Sequence, residues 1–168
     1  MAKKYGNNRA ATAEEMSALH EEVEEMRASG GYSLVEEYNG GYLAIENSSK
    51  PHSPEEIEAA RYMAKNGNKL ILKNESGSEI TVDGWINGKT YEQVTPTGSS
   101  AQNIKKALGH AKDKGARVSV IYMKNAKHTL KSVEDGLAKF EKYNPNYRFD
   151  EIIVVTKDGR LHYHVHNT

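Results

Sequence analysis

The feature that most constrains the fold is a tight turn at Asn87-Gly88, which divides residues 81–98 into two strand-like arms. Asn-Gly is favoured where both central residues of a two-residue turn need positive φ, so we expect the chain to reverse there. The reversal brings Asp83 and Glu92 close together, although they are far apart along the chain. Two carboxylates on neighbouring strands repel each other unless a metal ion, a basic side chain or solvent lies between them. The sequence leaves these three options open.

The rest of the chain alternates helical and strand patterns around this hairpin. Helical spacing of apolar residues after capping residues predicts four helices, and short apolar or alternating runs predict the strands. The predicted helices cover residues 12–29, 53–66, 100–114 and 129–143, and the predicted strands beyond the two arms cover 32–37, 42–46, 69–73, 118–123, 152–155 and 161–166. This order predicts a single α/β (α+β) domain with a mixed central β-sheet and flanking helices.

Composition excludes several classes of protein. A chain of 168 residues with 37% hydrophobic content can form one domain with a core and is short for two. The absence of cysteine excludes disulfides and thiolate metal sites, and no apolar run is long enough to span a membrane. The net charge is zero, but the charged residues within 14–58 are mostly acidic and those within 103–131 are mostly basic. The basic segment can attract phosphate groups.

Three carboxylates are predicted at one edge of the sheet: Glu56 on the second helix, and Asp83 and Glu92 on the hairpin. Two or three such groups can hold Mg²⁺, Mn²⁺ or Zn²⁺, which activates water and takes up the charge of a phosphate. A neighbouring lysine usually stabilises the oxyanion in such sites. These residues therefore make metal-assisted phosphodiester cleavage a hypothesis.

The same region resembles a toxin family, the C-terminal nuclease domains of contact-dependent growth-inhibition toxins and of phage head-morphogenesis (MuF-type) polymorphic toxins. The resemblance covers roughly residues 39–155. It implies a restriction-endonuclease-like or barnase/colicin-like core in residues 31–168, after a disordered lead (1–11) and an accessory helix (12–30). The residues that carry it are Glu56 to Gly67, Lys69 to Leu72, Thr81-Val82-Asp83, Asn87-Gly88 and Tyr91-Glu92-Gln93-Val94-Thr95-Pro96-Thr97-Gly98.

The resemblance implies catalytic roles for Glu56, Asp83 and Glu92, with Asp83 and Glu92 as ligands of a divalent metal (Mg, Mn or Zn). One departure from the family pattern affects the mechanism. The family's Glu-x-Lys is Glu92-Gln93-Val94 here, and valine cannot orient water or neutralise phosphate. Three explanations are open: Lys89 or Lys105 supplies the missing ammonium, Gln93 takes a modified role, or the metal site is lost.

A second candidate site lies in His162-x-His164-x-His166, where strand alternation would point the three imidazoles to one side. Two of them could share a zinc ion, or one, His164 or a neighbour, could act as general acid or base in metal-free RNA cleavage. An edge strand that simply tolerates polar residues is the third interpretation.

Residues for binding substrate are predicted after the hairpin. Hydroxyl groups and backbone N–H groups precede the N-terminus of the third helix, which is a favourable place for a phosphate. The third helix adds basic side chains that can contact a phosphate backbone. The predicted substrate-binding residues are Thr95, Thr97, Ser99, Ser100, Lys105, Lys106 and His110.

The resemblance therefore implies an endonuclease that cleaves RNA, tRNA in particular, by phosphodiester hydrolysis or transfer. It also implies a cognate immunity protein, a parent toxin or phage protein upstream, export or phage delivery of that larger protein, and action in the target-cell cytoplasm. Two alternatives remain: a metal-independent ribonuclease that uses the C-terminal histidines, and a catalytically inactive binding module of phage or mobile-element origin.

Overall fold

A computed structural model describes residues 11–74, 81–127 and 129–164. The predicted order of helices and strands is confirmed within these ranges. The helices are α1 (Ala13–Ser29), α2 (Pro54–Lys65), α3 (Ala101–Asp113) and α4 (Leu130–Tyr143), and the strands are β1 (Tyr32–Tyr38), β2 (Gly41–Glu46), β3 (Lys69–Leu72), β4 (Gly84–Ile86), β5 (Lys89–Val94), β6 (Val118–Met123), β7 (Glu151–Thr156) and β8 (Leu161–His164).

The eight strands form one sheet in which spatial order follows chain order. Strands β2 and β3 are parallel, as are β5, β6 and β7, whereas the other neighbouring pairs are antiparallel. Each parallel pair is joined through a helix, as parallel strands require: α2 follows β2, α3 follows β5 and α4 follows β6. The predicted mixed α/β class is therefore confirmed.

Local sequence explains the turn and the helix starts. Asn87 and Gly88 both have positive φ, 50° and 84°, as a two-residue hairpin turn of this kind requires. Each helix begins after a hydroxyl side chain that accepts a hydrogen bond from a backbone N–H of the first turn. These N-cap residues are Thr12, Ser53, Ser100 and Thr129.

Both faces of the sheet are covered. Helix α2 packs on one face, where its Met63 meets Leu70 of β3 and Tyr91 of β5 in a single apolar cluster. Helices α3 and α4 cover β5 to β8 on the other face, with Leu108 and Phe140 in the cluster. Helix α1 packs on β1 and β2 in a smaller cluster. Because side chains alternate along β5, Tyr91 lies under α2 and Glu92 lies under α3.

The predicted disordered lead, except for Ala11, and His166 lie outside the described residues. The accessory status of α1 and the division at residue 31 remain predictions. Among the described helices, none combines the length and the apolar character that a membrane crossing needs.

Candidate active site

Glu92 is the centre of the candidate site. Its carboxylate is buried, with 2% of the side chain exposed. Its Oε2 lies 2.9 Å from Nε2 of His110 and 3.1 Å from Nζ of Lys114. Its Oε1 accepts a hydrogen bond of 3.0 Å from the backbone N–H of Asp83. Both oxygens are therefore held by positively polarised donors.

Asp83 is fixed next to Glu92 by the hairpin. Its carboxylate is also buried, and its Oδ2 accepts a hydrogen bond of 2.8 Å from the backbone N–H of Gln93. Each carboxylate therefore binds the backbone next to the other, so the two residues are neighbours, as the turn predicts. Of the three options open from the sequence for relieving their repulsion, the structure shows the basic side chains, His110 and Lys114, in contact with Glu92.

Helix α3 supplies these basic groups. Asn103, Ala107, His110 and Lys114 follow the helical spacing of three or four residues, so they form one stripe that faces β5. Val94, at the position of the family's lysine, packs instead against the apolar cluster of α3 and α4. The ammonium at Glu92 thus comes from Lys114, which the sequence analysis missed. Helical spacing puts Lys114 on the same side of α3 as His110, but its contact with Glu92 depends on how α3 packs against β5.

An open cleft of about 520 Å³ lies between this stripe and the end of β5. Four of the seven predicted substrate-binding residues line it: Thr95, Thr97, Lys106 and His110. Its complete lining is Gln93, Val94, Thr95, Pro96, Thr97, Asn103, Lys106, Ala107 and His110.

The other predicted substrate-binding residues have different surroundings. Ser100 caps α3 through its hydroxyl, which binds the backbone N–H of Asn103. Lys105 lies over the ring of Tyr143 on α4, 4.2 Å from its centroid. Ser99 is half-buried in the loop between β5 and α3 and is not part of the cleft wall.

Glu56, the third predicted carboxylate, is bound elsewhere. Its Oε2 lies 2.9 Å from Nδ1 of His52, and Nε2 of His52 lies 2.8 Å from the carbonyl oxygen of Lys73. Burial opposes ionisation of Glu56, but the hydrogen bond and charge of His52, together with bonds from Ser53, outweigh it and lower the pKa of Glu56. Glu56 is linked to the hairpin through His52 and Lys73, because the backbone N–H of Lys73 donates to the carbonyl of Asp83.

Gln93 and Lys89, two other predicted catalytic residues, bind groups other than the Glu92 carboxylate. Gln93 lines the cleft, and its side-chain N–H group donates to the carbonyl of Glu55 at the start of α2. Lys89 lies about 10 Å from Glu92 along β5 and pairs with Asp150 at 3.3 Å.

His164 lies on β8, three strands and about 14 Å from β5. Its side chain is buried in a small cavity lined by Phe140, Tyr147 and Phe149, because α4 covers this face of the sheet. Leu161 and Tyr163 face the opposite core.

The carboxylates fit a resident divalent metal poorly. At least three of the four oxygens of Asp83 and Glu92 already accept bonds from N–H or ammonium groups, so a cation at Glu92 would displace His110 or Lys114. Within residues 11–74, 81–127 and 129–164, no three His, Asp or Glu side chains are placed to hold a metal ion together. In this arrangement, the buried charge of Glu92 is balanced by side chains of the protein.

Comparison with known proteins supports the resemblance that the sequence predicts. Residues 80–161 match the family described as "Contact-dependent growth inhibition CdiA C-terminal domain". The fold resembles a solved structure, the "CdiA-CT/CdiI toxin and immunity complex from Burkholderia pseudomallei", with 16% identity, a TM-score of 0.53, and coverage of 76% of this chain and 100% of that one. No curated protein gives a significant match. The predicted resemblance to contact-dependent growth-inhibition toxins is therefore confirmed.

Proposed function

We propose that this chain, whose residues 80–161 match the C-terminal domain of contact-dependent growth-inhibition proteins, is an endonuclease that cleaves RNA, with tRNA as its principal substrate. One observation carries the proposal: the buried Glu92 carboxylate is bound by His110 and Lys114 at the wall of an open cleft. A charged group is costly to bury, and an arrangement of this kind at a cleft is typical of acid–base and charge-stabilising sites.

The cleft has the size and chemistry for a nucleotide. Its volume of about 520 Å³ lies in the range of small-molecule sites. Lys106 places a positive charge on the wall, and Thr95 and Thr97 add hydroxyl groups that can donate to phosphate oxygens. The positive charge on the wall favours a phosphate-bearing substrate over a small neutral one.

The family also supports a set of partners. The solved Burkholderia pseudomallei toxin is a complex with CdiI, named as its immunity protein. We propose that this chain likewise has a cognate immunity protein, that it forms part of a larger CdiA-type protein, and that it acts in the cytoplasm of the target cell. A phage-borne parent protein is the alternative origin that the sequence resemblance suggests.

Incubation of the purified chain with tRNA and with plasmid DNA, each with and without EDTA, tests the activity. We expect cleavage of tRNA and an intact plasmid. Glu92→Gln should lower the rate by about 100-fold or more, because it removes the charge that holds His110 and Lys114. Lys114→Met should also lower the rate. The EDTA arm tests the divalent metal that the resemblance implies.

Lys112→Met is the matched control for Lys114→Met, since it removes the same charge from the same helix at a position next to Tyr147 rather than Glu92. We expect its rate to stay within about twofold of wild type, because it is outside the cleft wall. A folded Glu92→Gln variant with the wild-type rate would contradict the proposal. A wild-type protein that binds tRNA and cleaves neither substrate would identify the inactive binding module instead.

A further inference from the structure

The hydrogen bond between Glu92 and His110 determines which ring nitrogen of His110 can take a proton. An ionised carboxylate only accepts hydrogen bonds, so Nε2 of His110 must donate to Oε2 of Glu92 across their 2.9 Å contact. A neutral imidazole that donates from Nε2 keeps its lone pair on Nδ1. The contact therefore prepares Nδ1 as a base.

The burial of the two groups is also suited to proton transfer. Glu92 is almost fully buried, whereas 51% of the His110 side chain is exposed, and His110 lines the cleft. A substrate in the cleft can therefore reach the imidazole but not the carboxylate that orients it. Glu92 is a positioning residue in this arrangement.

Lys114 makes a neutral His110 possible. Its ammonium lies 3.1 Å from the same oxygen of Glu92, and 22% of its side chain is exposed. Because Lys114 balances the buried negative charge, the ion pair does not require His110 to be positive as well.

We propose that His110 is the catalytic base of RNA cleavage and that it removes the proton of the ribose 2′-hydroxyl. This inference rests on the proposed nuclease function and adds the nucleophile and the base. Nδ1 takes the 2′-hydroxyl proton, the 2′-oxygen forms a bond to the adjacent phosphorus, and the bond from phosphorus to the 5′-oxygen breaks. The 5′-oxygen takes a proton from water, and the imidazolium returns its proton to the resulting hydroxide.

The products of this route are a 2′,3′-cyclic phosphate and a 5′-hydroxyl, and DNA cannot react because it lacks the nucleophile. The other residues of the cleft bind rather than react. Lys106 lies on the same helix as His110, one turn earlier, and can hold the phosphate while the 2′-oxygen attacks.

The test compares an all-ribose oligonucleotide with the same sequence carrying 2′-deoxyribose, both with EDTA present. We expect the wild-type protein to cleave only the ribose substrate and to leave cyclic phosphate ends. His110→Gln keeps an N–H donor for Glu92 but cannot transfer a proton, so kcat should fall about 100-fold or more while KM changes by less than about threefold. Imidazole in solution should restore part of the activity of His110→Ala.

His20→Gln is the matched control. His20 is an exposed histidine on α1, and its Nδ1 also lies 2.9 Å from a carboxylate, that of Glu37. We expect its kcat and KM to match the wild-type values, since it is far from the cleft. Imidazole should not accelerate the wild type or Glu92→Gln.

The outcomes separate the two proposals. If the wild type cleaves RNA and Glu92→Gln does not, but His110→Gln keeps the wild-type kcat, the role of His110 is wrong and the nuclease function stands. Cleavage of the 2′-deoxyribose substrate, or products with 5′-phosphate ends, would likewise overturn the 2′-hydroxyl route alone. If the wild type cleaves no nucleic acid under any condition, both proposals are wrong.

Discussion

Two histidine–carboxylate pairs in this protein have the same length and opposite burial. His52 and Glu56 lie 2.9 Å apart, as do His110 and Glu92. In the first pair the histidine is buried, with 1% of its side chain exposed, and the carboxylate is 22% exposed. In the second pair the carboxylate is buried and the histidine is exposed to the cleft.

The two imidazoles differ in how many of their ring nitrogens contact acceptor groups in these bonds. Both ring nitrogens of His52 lie within hydrogen-bond distance of acceptor groups, the Glu56 carboxylate and the Lys73 carbonyl, so the ring is held on both sides. It joins the loop before α2 to the end of β3. His110 contacts Glu92 through Nε2, and its half-exposed ring lines the cleft. The distance alone therefore does not distinguish the structural pair from the candidate catalytic pair. The burial of the histidine and the number of contacts that its ring nitrogens make do distinguish them.

The largest expected difference in stability comes from the buried histidine. His52→Gln removes the buried partner of Glu56. We therefore expect the free energy of unfolding to fall by about 3 kcal/mol and the Tm by about 6–12 °C. His110→Gln, at an exposed ring, should change the free energy of unfolding by less than about 1 kcal/mol. Thermal and urea denaturation of both variants measure this, and equal losses would remove the distinction between the pairs.

A pair of double-mutant cycles sharpens the comparison. His52 and Glu56 should couple in the free energy of unfolding by about 1–2 kcal/mol, because each residue loses its partner in the other's variant. For His110 and Glu92, the coupling should appear in kcat: the double variant should be about as slow as the slower single variant, since both act on one proton transfer. Additive losses of kcat would show that Glu92 does not act through His110.

The smallest effect should be the pH dependence of the structural pair. The pKa of Glu56 is lowered in the folded protein, so its contribution to stability is present above its unfolded pKa of about 4.3 and disappears as pH falls through the folded value. Glu56→Gln should therefore make the loss of stability below about pH 4.3 less steep. Denaturation midpoints from pH 2 to 7 measure the slope, with Glu55→Gln as the neighbouring control; equal slopes in the two variants would argue against the His52–Glu56 pair.

Local sequence patterns predicted much of the fold and the two hairpin carboxylates of the candidate site. The Asn87-Gly88 turn and the period of two along each strand were sufficient to place Asp83 beside Glu92. Lys114 could not be placed from these patterns, because its approach to Glu92 depends on how α3 packs across β5. The position along a strand or helix follows from local sequence, whereas the neighbour across a layer depends on tertiary packing.

The surroundings of His164 could not be predicted from the sequence for a related reason. Alternation along a strand separates its two faces, but it identifies a solvent face only where one side of the sheet is open. Here α4 covers the second face, and His164 is buried beside Phe149. Similarly, the position of Glu56 on α2 was predictable, but its partner His52 lies in the preceding loop, where no periodic pattern indicates a contact.

The position of the candidate site along the chain also has a consequence for how this fold can be recombined. Asp83, Glu92, His110 and Lys114 all lie in a single stretch, residues 83–114, that contains one hairpin and one helix. The threonines and the lysine of the cleft lie in the same stretch. Exchange of this one segment between two chains of the same fold would therefore transfer the whole candidate site at once.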